Sequence, residues 1–451
     1  MNVNITHSEC SKRLDDLEAG SFDSCITDPP YELGFMDKEW DRSGIAFDPK
    51  FWEKVKRVLK PGAHIAVFGG SRTYHRIAVG IEDAGFEIRD TIDWIYGEGF
   101  AKSHDISKAI DEHFGKKDER KKVGIKDGAR RKDGSVVGRE SYEDWKDNPS
   151  TWQERGRDPY ERAPATDEAE EWEGWDTQLK PAKEPIIIAR KPFDGTVAEN
   201  VLENGTGALN IDGCRLPTDE DTSRTVKKAG QEYSLDGGES NNFSYSEEEK
   251  QTGGHDGGRW PANVIFDPVM AQALNGQSGT DLTAGGDVEK KERDDHNVYG
   301  TYWGTAEHRS YEDVGGAARY FKTIDYHPED NIGFFYCPKA KKGEKNRGVD
   351  GGNDHVTVKP VELVSYLVRL LTPEGGNTLD PFAGSGTTGM SAFLEGMSAE
   401  LIEKDESYCE IARQRVRYTE TNYQELRTSI YGDPANSITE EETEVNDHDF
   451  W

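Results

Sequence analysis

Short apolar runs alternate with amphipathic stretches near both ends of the chain, and the alternation predicts strands followed by helices. Ser24, Cys25, Ile26 and Thr27 form a run without polar interruption, as a strand buried on both faces would. Residues 5–10 read as an earlier strand ending in an acid, Glu9. Asp48 is placed to cap a helix with Pro49 in its first turn, and Phe51, Trp52, Val55, Val58 and Leu59 fall on one helical face. Pro61 and Gly62 end that helix, and residues 64–68 form the next strand. Residues 74–84 read as a helix with Gly85 at its C-terminus, and residues 89–96 and 185–189 as two more strands. The pattern returns late in the chain. A helix over 360–371 has Pro360 in its first turn. A strand ends at Asp380, a helix carries Met390, Ala392, Phe393 and Leu394 to Gly396, and a strand over 399–402 delivers Glu403. Strands alternating with helices predict an α/β fold with a mostly parallel sheet and helices on both faces.

The middle of the chain lacks this periodicity. Residues 103–180 are rich in Lys, Arg, Asp, Glu and Gly, and Trp152, Tyr160, Trp172 and Trp175 read as small packing anchors ahead of base-stacking groups. Residues 218–258 carry Gly, Ser, Asn and Glu with few large apolar groups, the composition of a flexible linker. Residues 259–266 and 331–336 read as strands within a loop-rich region.

Two segments carry candidate chemistry. The first apolar run closes in Asp28, Pro29, Pro30 and Tyr31. Two prolines stop the strand and stiffen an extended loop. That loop offers a carboxylate, exposed carbonyls and an aromatic ring at the carboxyl edge of a sheet, where open α/β folds bind ligands. Such groups suit a planar group bearing an exocyclic amine. The second segment is Asp380, Pro381, Phe382, Ala383, Gly384, Ser385, Gly386, Thr387 and Thr388, a glycine-rich turn between strand and helix. Its glycines admit close backbone approach, and the helix start favours a polar or anionic ligand group. Glu403, about 20 residues on, is placed to take a ribose hydroxyl pair.

These strings resemble the catalytic loop and the S-adenosylmethionine motif of DNA methyltransferases that act on adenine N6 or cytosine N4. The catalytic loop precedes the cofactor motif, the order of the permuted β group. The resemblance covers roughly residues 1–104, 181–217 and 330–417. It implies a Rossmann-like S-adenosylmethionine-dependent methyltransferase fold, a mostly parallel sheet with an antiparallel edge and an inserted target-recognition region. Asp28, Pro29, Pro30 and Tyr31 are then the catalytic residues. Glu9, Thr357, Lys359, Asp380, Pro381, Phe382, Gly384, Ser385, Gly386, Thr387, Thr388 and Glu403 bind the cofactor. At the first of these, relatives usually have Gly-Asp-Cys where this chain has Ser8-Glu9-Cys10, and they often have proline at Val356. The implied organisation is a catalytic half over 1–104 and 181–217, with a charged insertion at 105–180. A variable, target-recognising region follows over 218–350, including the 218–258 linker, then a cofactor-binding half over 351–433 and an acidic tail over 434–451. The resemblance also implies double-stranded DNA as partner, a homodimer, and adenine N6 ahead of cytosine N4, because Asp opens the loop more often in the adenine subgroup. A protein glutamine methyltransferase is a second reading, although those usually begin the loop with Asn and place the cofactor motif first. A non-catalytic relative is a third. With no nuclease motif in the chain, a solitary methylase that marks host or viral DNA against restriction is expected.

Composition adds one tension. The chain has 451 residues and a formal net charge of -31, whereas DNA-binding surfaces are usually basic. The densest local run of positive charge is Lys116, Lys117, Arg120, Lys121, Lys122, Lys126, Arg130, Arg131 and Lys132, the best candidate for phosphate contact, with a solvated loop as the plain alternative. A salt-rich cytoplasm would screen the repulsion, since the Debye length falls to about 3 Å at molar salt. A halophilic archaeal or haloviral origin is therefore expected, with an acidic protein-binding or DNA-mimicking surface as the competitor. The five cysteines, Cys10, Cys25, Cys214, Cys337 and Cys409, show neither disulfide nor metal-ligand spacing, and no apolar run is long enough to span a membrane. They read as reduced thiols of a cytoplasmic protein that needs no metal.

Overall fold

The computed structural model describes residues 1–33, 39–97, 103–125, 160–218, 223–230, 244–253, 258–278, 317–324, 342–350, 352–353, 355 and 357–431. The chain forms two compact units: Met1–Gly97, Lys183–His327 and Gly343–Trp451 make the first, Glu98–Ala182 and Pro328–Lys342 the second.

The strands are β1 Val3–His7, β2 Phe22–Thr27, β3 Leu59–Phe68, β4 Glu87–Ile95, β5 Lys122–Ile125, β6 Tyr160–Arg162, β7 Lys183–Arg190, β8 Ser223–Gly230, β9 Ser244–Gly253, β10 Val264–Phe266, β11 Lys322–Thr323, β12 Asn377–Asp380 and β13 Ser398–Glu403. Nine of them build the sheet of the first unit, in the order β1-β13-β12-β2-β3-β7-β4-β10-β11. All neighbours are parallel except β7, which runs against both β3 and β4. The antiparallel strand lies inboard because β4, β10 and β11 extend the sheet beyond it.

Both faces of this sheet are covered, which explains the unbroken burial of β2. Alternate residues of one strand serve opposite cores. Ala66 and Phe68 of β3, with Ile186 and Ile188 of β7, pack against the Val361–Leu371 helix through Leu363, Leu367 and Val368. Ile65 and Val67, with Ile187 and Ala189, pack against the Pro49–Val58 and Tyr74–Asp83 helices through Trp52, Val55, Ile77 and Ile81. Asp48 caps the first of these helices by accepting from the Lys50 N–H at 3.0 Å, with Pro49 at its start.

Several segments fold differently from what the sequence suggests. Residues 223–230 and 244–253, expected within a linker, form the antiparallel pair β8–β9, whose register sets Lys227 opposite Glu249. A low apolar content hid a ladder that rests on backbone pairing. An unpredicted helix, Pro268–Ser278, follows β10. The second unit is not simply a solvated loop: the helices Ile106–His113 and Asp167–Glu171 accompany the β5–β6 pair around a polar centre. There Asp111 accepts from Arg120, Thr166 and the Ala165 N–H. Trp172 and Trp175 lie edge to face at 5.1 Å and remain 42% and 60% exposed, so they are not buried anchors. The expected strand at 331–336, the acidic tail at 434–451 and Trp152 lie outside the described residues.

Candidate active site

Parallel strands β2 and β12 are neighbours, with Thr378 beside Ser24 and Leu379 beside Cys25. The sheet therefore brings two segments far apart in sequence to one carboxyl edge. Their junction is a hydrogen bond: Thr27, the last residue of β2, donates its hydroxyl to Asp380, the last of β12, at 2.7 Å. Asp380 also accepts from the Thr388 hydroxyl at 2.6 Å and the Phe382 N–H at 3.0 Å. Burial pushes its carboxyl up to about 6 against these hydrogen bonds, which act to lower it. Asp380 thus ties strand, turn and helix together.

The Asp28–Tyr31 loop leaves β2 and is held at its far end. Glu32 adopts φ +57°, a left-handed conformation unusual for a residue with a side chain. Asp41, 2% exposed, accepts from the Glu32 N–H at 2.9 Å and the Leu33 N–H at 3.1 Å and holds that kink. Gly70, just past β3, gives the tyrosine ring its room: a Cβ there would lie 3.1 Å from Tyr31 Cδ2. The Tyr31 hydroxyl donates to Glu184 Oε1 at 2.8 Å. Lys359 Nζ lies 2.5 Å from Asp28 Oδ2, 3.2 Å from the Tyr31 hydroxyl and 3.7 Å from Glu184 Oε1. The other oxygen of Asp28, Oδ1, is buried and has no hydrogen-bond partner among the described residues.

The glycine-rich turn follows β12. Gly384 takes φ +51° and Gly386 φ +80°, both in the region that disfavours side chains. A Cβ on Gly384 would lie 2.8 Å from His355 Nε2, and one on Gly386 would lie 2.7 Å from Ala412 Cβ. The Gly384 N–H donates to Glu403 Oε2 at 2.9 Å, and the Asp405 N–H donates to Oε1 at 2.9 Å. Burial pushes the Glu403 carboxyl upward. Beneath the turn, Arg415 of the Glu406–Thr421 helix is wholly buried and donates to the Ser385 carbonyl at 2.8 Å, its hydroxyl at 2.9 Å and the Thr387 hydroxyl at 3.1 Å.

Loop and turn enclose a cleft of 410 Å³, within the range of small-molecule sites. Of the residues singled out from sequence, Glu9, Asp28, Pro30, Thr357, Lys359, Asp380, Pro381, Phe382, Gly384, Ser385, Thr387, Thr388 and Glu403 line it. Pro29, Tyr31 and Gly386 are not part of this lining. His355, at the head of the segment that carries Thr357 and Lys359, also lines the cleft, as do Tyr408, Lys404, Asp405 and Phe68, which were not singled out; the rings of His355 and Tyr408 meet edge to face at 4.6 Å. Asp405, which caps the helix after β13, could have been found from its place two residues past Glu403. Glu9, Asp28, Glu403 and Asp405 make the lining acidic, while Ile26, Phe68, Phe382 and Ile402 give it apolar walls. With the space left by Gly384, this lining fits a cationic, hydroxyl-bearing ligand with a planar ring, as S-adenosylmethionine is. Cys10, also in the lining, is no nucleophile: burial raises its thiol to about 11.

The basic run of the second unit divides. Lys116 is half-buried and Lys117 exposed, and both are paired, with Glu119 at 2.6 Å and Glu112 at 2.8 Å. Lys121 and Lys122 are exposed. Arg120 corrects the expectation of phosphate contact: it is 5% exposed and its guanidinium meets Asp111 at 2.5 Å inside the unit. A fixed buried carboxylate competes for that charge ahead of any solvent-borne phosphate. Lys126, Arg130, Arg131 and Lys132 lie outside the described residues. Among the described residues, no group of three or more His, Cys, Asp or Glu side chains could hold a metal ion, and no helix is long and apolar enough to cross a membrane.

Residues 22–414 match the model of the N6/N4 methyltransferase family, described as DNA methylase. Over 121 residues the chain is 31% identical to the type II methyltransferase M.HpaI of Haemophilus parainfluenzae, covering 25% of this chain and 38% of that protein. Over 84 residues it is 41% identical to M2.DpnII of Streptococcus pneumoniae, covering 18% of this chain and 30% of that protein. These alignments therefore span well under half of the curated relatives. Among solved structures, the cytosine-N4-specific PvuII DNA methyltransferase is 12% identical, with a TM-score of 0.41 over 95% of this chain and 93% of that one. The M1.HpyAVI–SAM complex is 11% identical, with a TM-score of 0.34 over 92% and 99%. Neither superposition is close enough to carry weight beside the site's own geometry.

Proposed function

The chain belongs to the N6/N4 family of DNA methylases, and from that premise we propose that it transfers a methyl group from S-adenosylmethionine to the exocyclic amine of a base flipped out of double-stranded DNA, adenine N6 ahead of cytosine N4. The observation that carries this reading is Asp28 Oδ1, a buried carboxylate oxygen with no hydrogen-bond partner among the described residues, at the edge of a cleft that suits the cofactor. An unpaired buried acceptor is costly unless a ligand fills it.

The cofactor's cationic and hydroxyl-bearing parts would be held by Glu403, Glu9 and Asp405 beside the Gly384 turn, with Thr357 near its amino-acid end. When bound, S-adenosylmethionine supplies an electrophilic methyl whose bond to sulfur breaks as the amine nitrogen takes it, and the amine then loses one proton to solvent. The protein's part is positioning and charge. Asp28 Oδ1 accepts from the amine, and the Pro29 carbonyl would be the second acceptor. Together they orient the nitrogen lone pair and stabilise positive charge developing there. Tyr31 offers its ring to the base, whose extrusion costs a few kcal/mol. A homodimer belongs to the same proposal, and light scattering would report twice the 50.5 kDa chain mass.

The test is Asp28→Ala. Transfer of labelled methyl to unmethylated DNA should fall by at least about a hundredfold, the scale seen when one group aimed at transition-state charge is removed. Calorimetric affinity for S-adenosylmethionine should hold. Loss of cofactor binding alone, with transfer intact at saturation, would make Asp28 a structural residue and remove the reading's main support.

A further inference from the structure

Beside the loop lies a second buried carboxylate that the reaction as described does not use. Glu184 is the second residue of β7 and is 2% exposed. Because β7 runs against its neighbours, its beginning reaches the edge where the parallel strands end: Glu184 stands opposite Trp94, and Ile186 opposite Phe68, the last residue of β3. The Tyr31 hydroxyl donates to Glu184, and Lys359 Nζ lies between Glu184 and Asp28, 5.4 Å from the centre of the Tyr31 ring and 5.0 Å from that of Phe68. Among the described residues, two carboxylates, one ammonium and one phenol thus share a largely buried box, two negative charges against one positive. Buried charges of this kind persist only when paired, and removing one member redistributes the rest.

Resting on the reading above, we propose that Glu184 is a positioning residue for methyl transfer. It fixes the Tyr31 ring through its hydroxyl and shares the Lys359 ammonium with Asp28. Without the Glu184 charge, Lys359 would neutralise Asp28 outright, and the amine would meet a carboxylate with little charge left to offer. With it, Asp28 keeps an excess of negative charge at Oδ1. Lys359, singled out from sequence as a cofactor ligand, becomes the counter-ion that holds Asp28 in place.

Two substitutions separate the roles. Glu184→Gln keeps an acceptor for the Tyr31 hydroxyl and removes the charge; Tyr31→Phe removes the hydroxyl and keeps the ring. In full-length protein with saturating S-adenosylmethionine, Glu184→Gln should lower kcat for labelled methyl transfer about thirtyfold, leaving the KM for DNA and the cofactor Kd within twofold of wild type. Tyr31→Phe should raise the KM for DNA severalfold. Glu184→Ala combined with Tyr31→Phe should cost less than the sum of the two single changes, because the two share a contact. Wild-type turnover in Glu184→Gln would overturn the proposal, as would a loss of kcat matched by an equal loss of cofactor affinity and of thermal stability, which would make Glu184 merely structural. If wild-type protein labels no DNA, the proposed activity falls and the Glu184 assignment with it; a labelling wild type with an equally fast Glu184→Gln overturns the Glu184 assignment alone.

Discussion

Asp28 and Asp380 stand at adjacent strand ends and play different parts. Asp28 presents an unfilled acceptor, whereas the oxygens of Asp380 are taken by Thr27, Thr388 and Phe382. The second arrangement makes stability depend on pH. Asp380 titrates near 6 in the fold against an ordinary 3.8, so its proton is favoured by folding; this contribution is full at low pH and is lost as pH rises from about 4 to 6. His64, buried on β3 near Arg190 and Arg89, is lowered from 6.5 to about 4 by desolvation and those charges. It contributes the opposite slope, since stability is lost as pH falls through the same window. Each effect is on the order of 3 kcal/mol, and the two nearly cancel. Asp380→Asn should therefore expose the histidine: its unfolding free energy in urea should fall more steeply from pH 6 to 4 than that of wild type. Parallel curves would show that Asp380 does not titrate there. Neither effect was legible in sequence, because it depends on which side chains face each other across β2 and β12 for Asp380 and across β3 and β7 for His64. The chemistry of Asp28 and Tyr31 was legible, because prolines constrain a loop without help from neighbours.

Elements were read well where periodicity was strong. The Asp48 cap, the helix face around Trp52, the helix after Pro360, and the strands that lead to Asp28, Asp380 and Glu403 stand where the pattern placed them, with ends shifted by a few residues. Three functional contributions were hidden at this scale. Glu184 looks like the polar flank of an apolar run, and only the reversed direction of β7 turns it towards the site. Asp41 lies beyond the reach of any local pattern. Arg415 sits in a helix of charged appearance, although Cys409, Ala412, Val416 and Thr419 mark its buried face and Arg415 lies next to that stripe. Its three hydrogen bonds to Ser385 and Thr387 make the helix a support for the glycine-rich turn. Hydrogen bonds to a charged group are worth about 1.5–3 kcal/mol. Arg415→Ala should thus weaken S-adenosylmethionine binding tenfold or more by calorimetry; an unchanged Kd would mean that the turn holds its shape unaided.

The molecule as a whole joins a site suited to a DNA base to a net charge of -31. The basic run read as a phosphate contact spends part of its charge internally, on Asp111, Glu112 and Glu119. Repulsion from DNA then has to be screened rather than offset locally, and screening is nearly complete at molar salt. Transfer should accordingly rise with salt, the reverse of a protein that holds DNA through many lysine and arginine contacts. The most direct measurement is transfer of labelled methyl from S-adenosylmethionine to unmethylated DNA across a salt series, followed by mass analysis of the nucleosides. The expected result is N6-methyladenine, formed faster at high salt; N4-methylcytosine would keep the reaction and move the base. No label in DNA at any salt, with the cofactor demonstrably bound, would contradict the assignment of DNA as substrate.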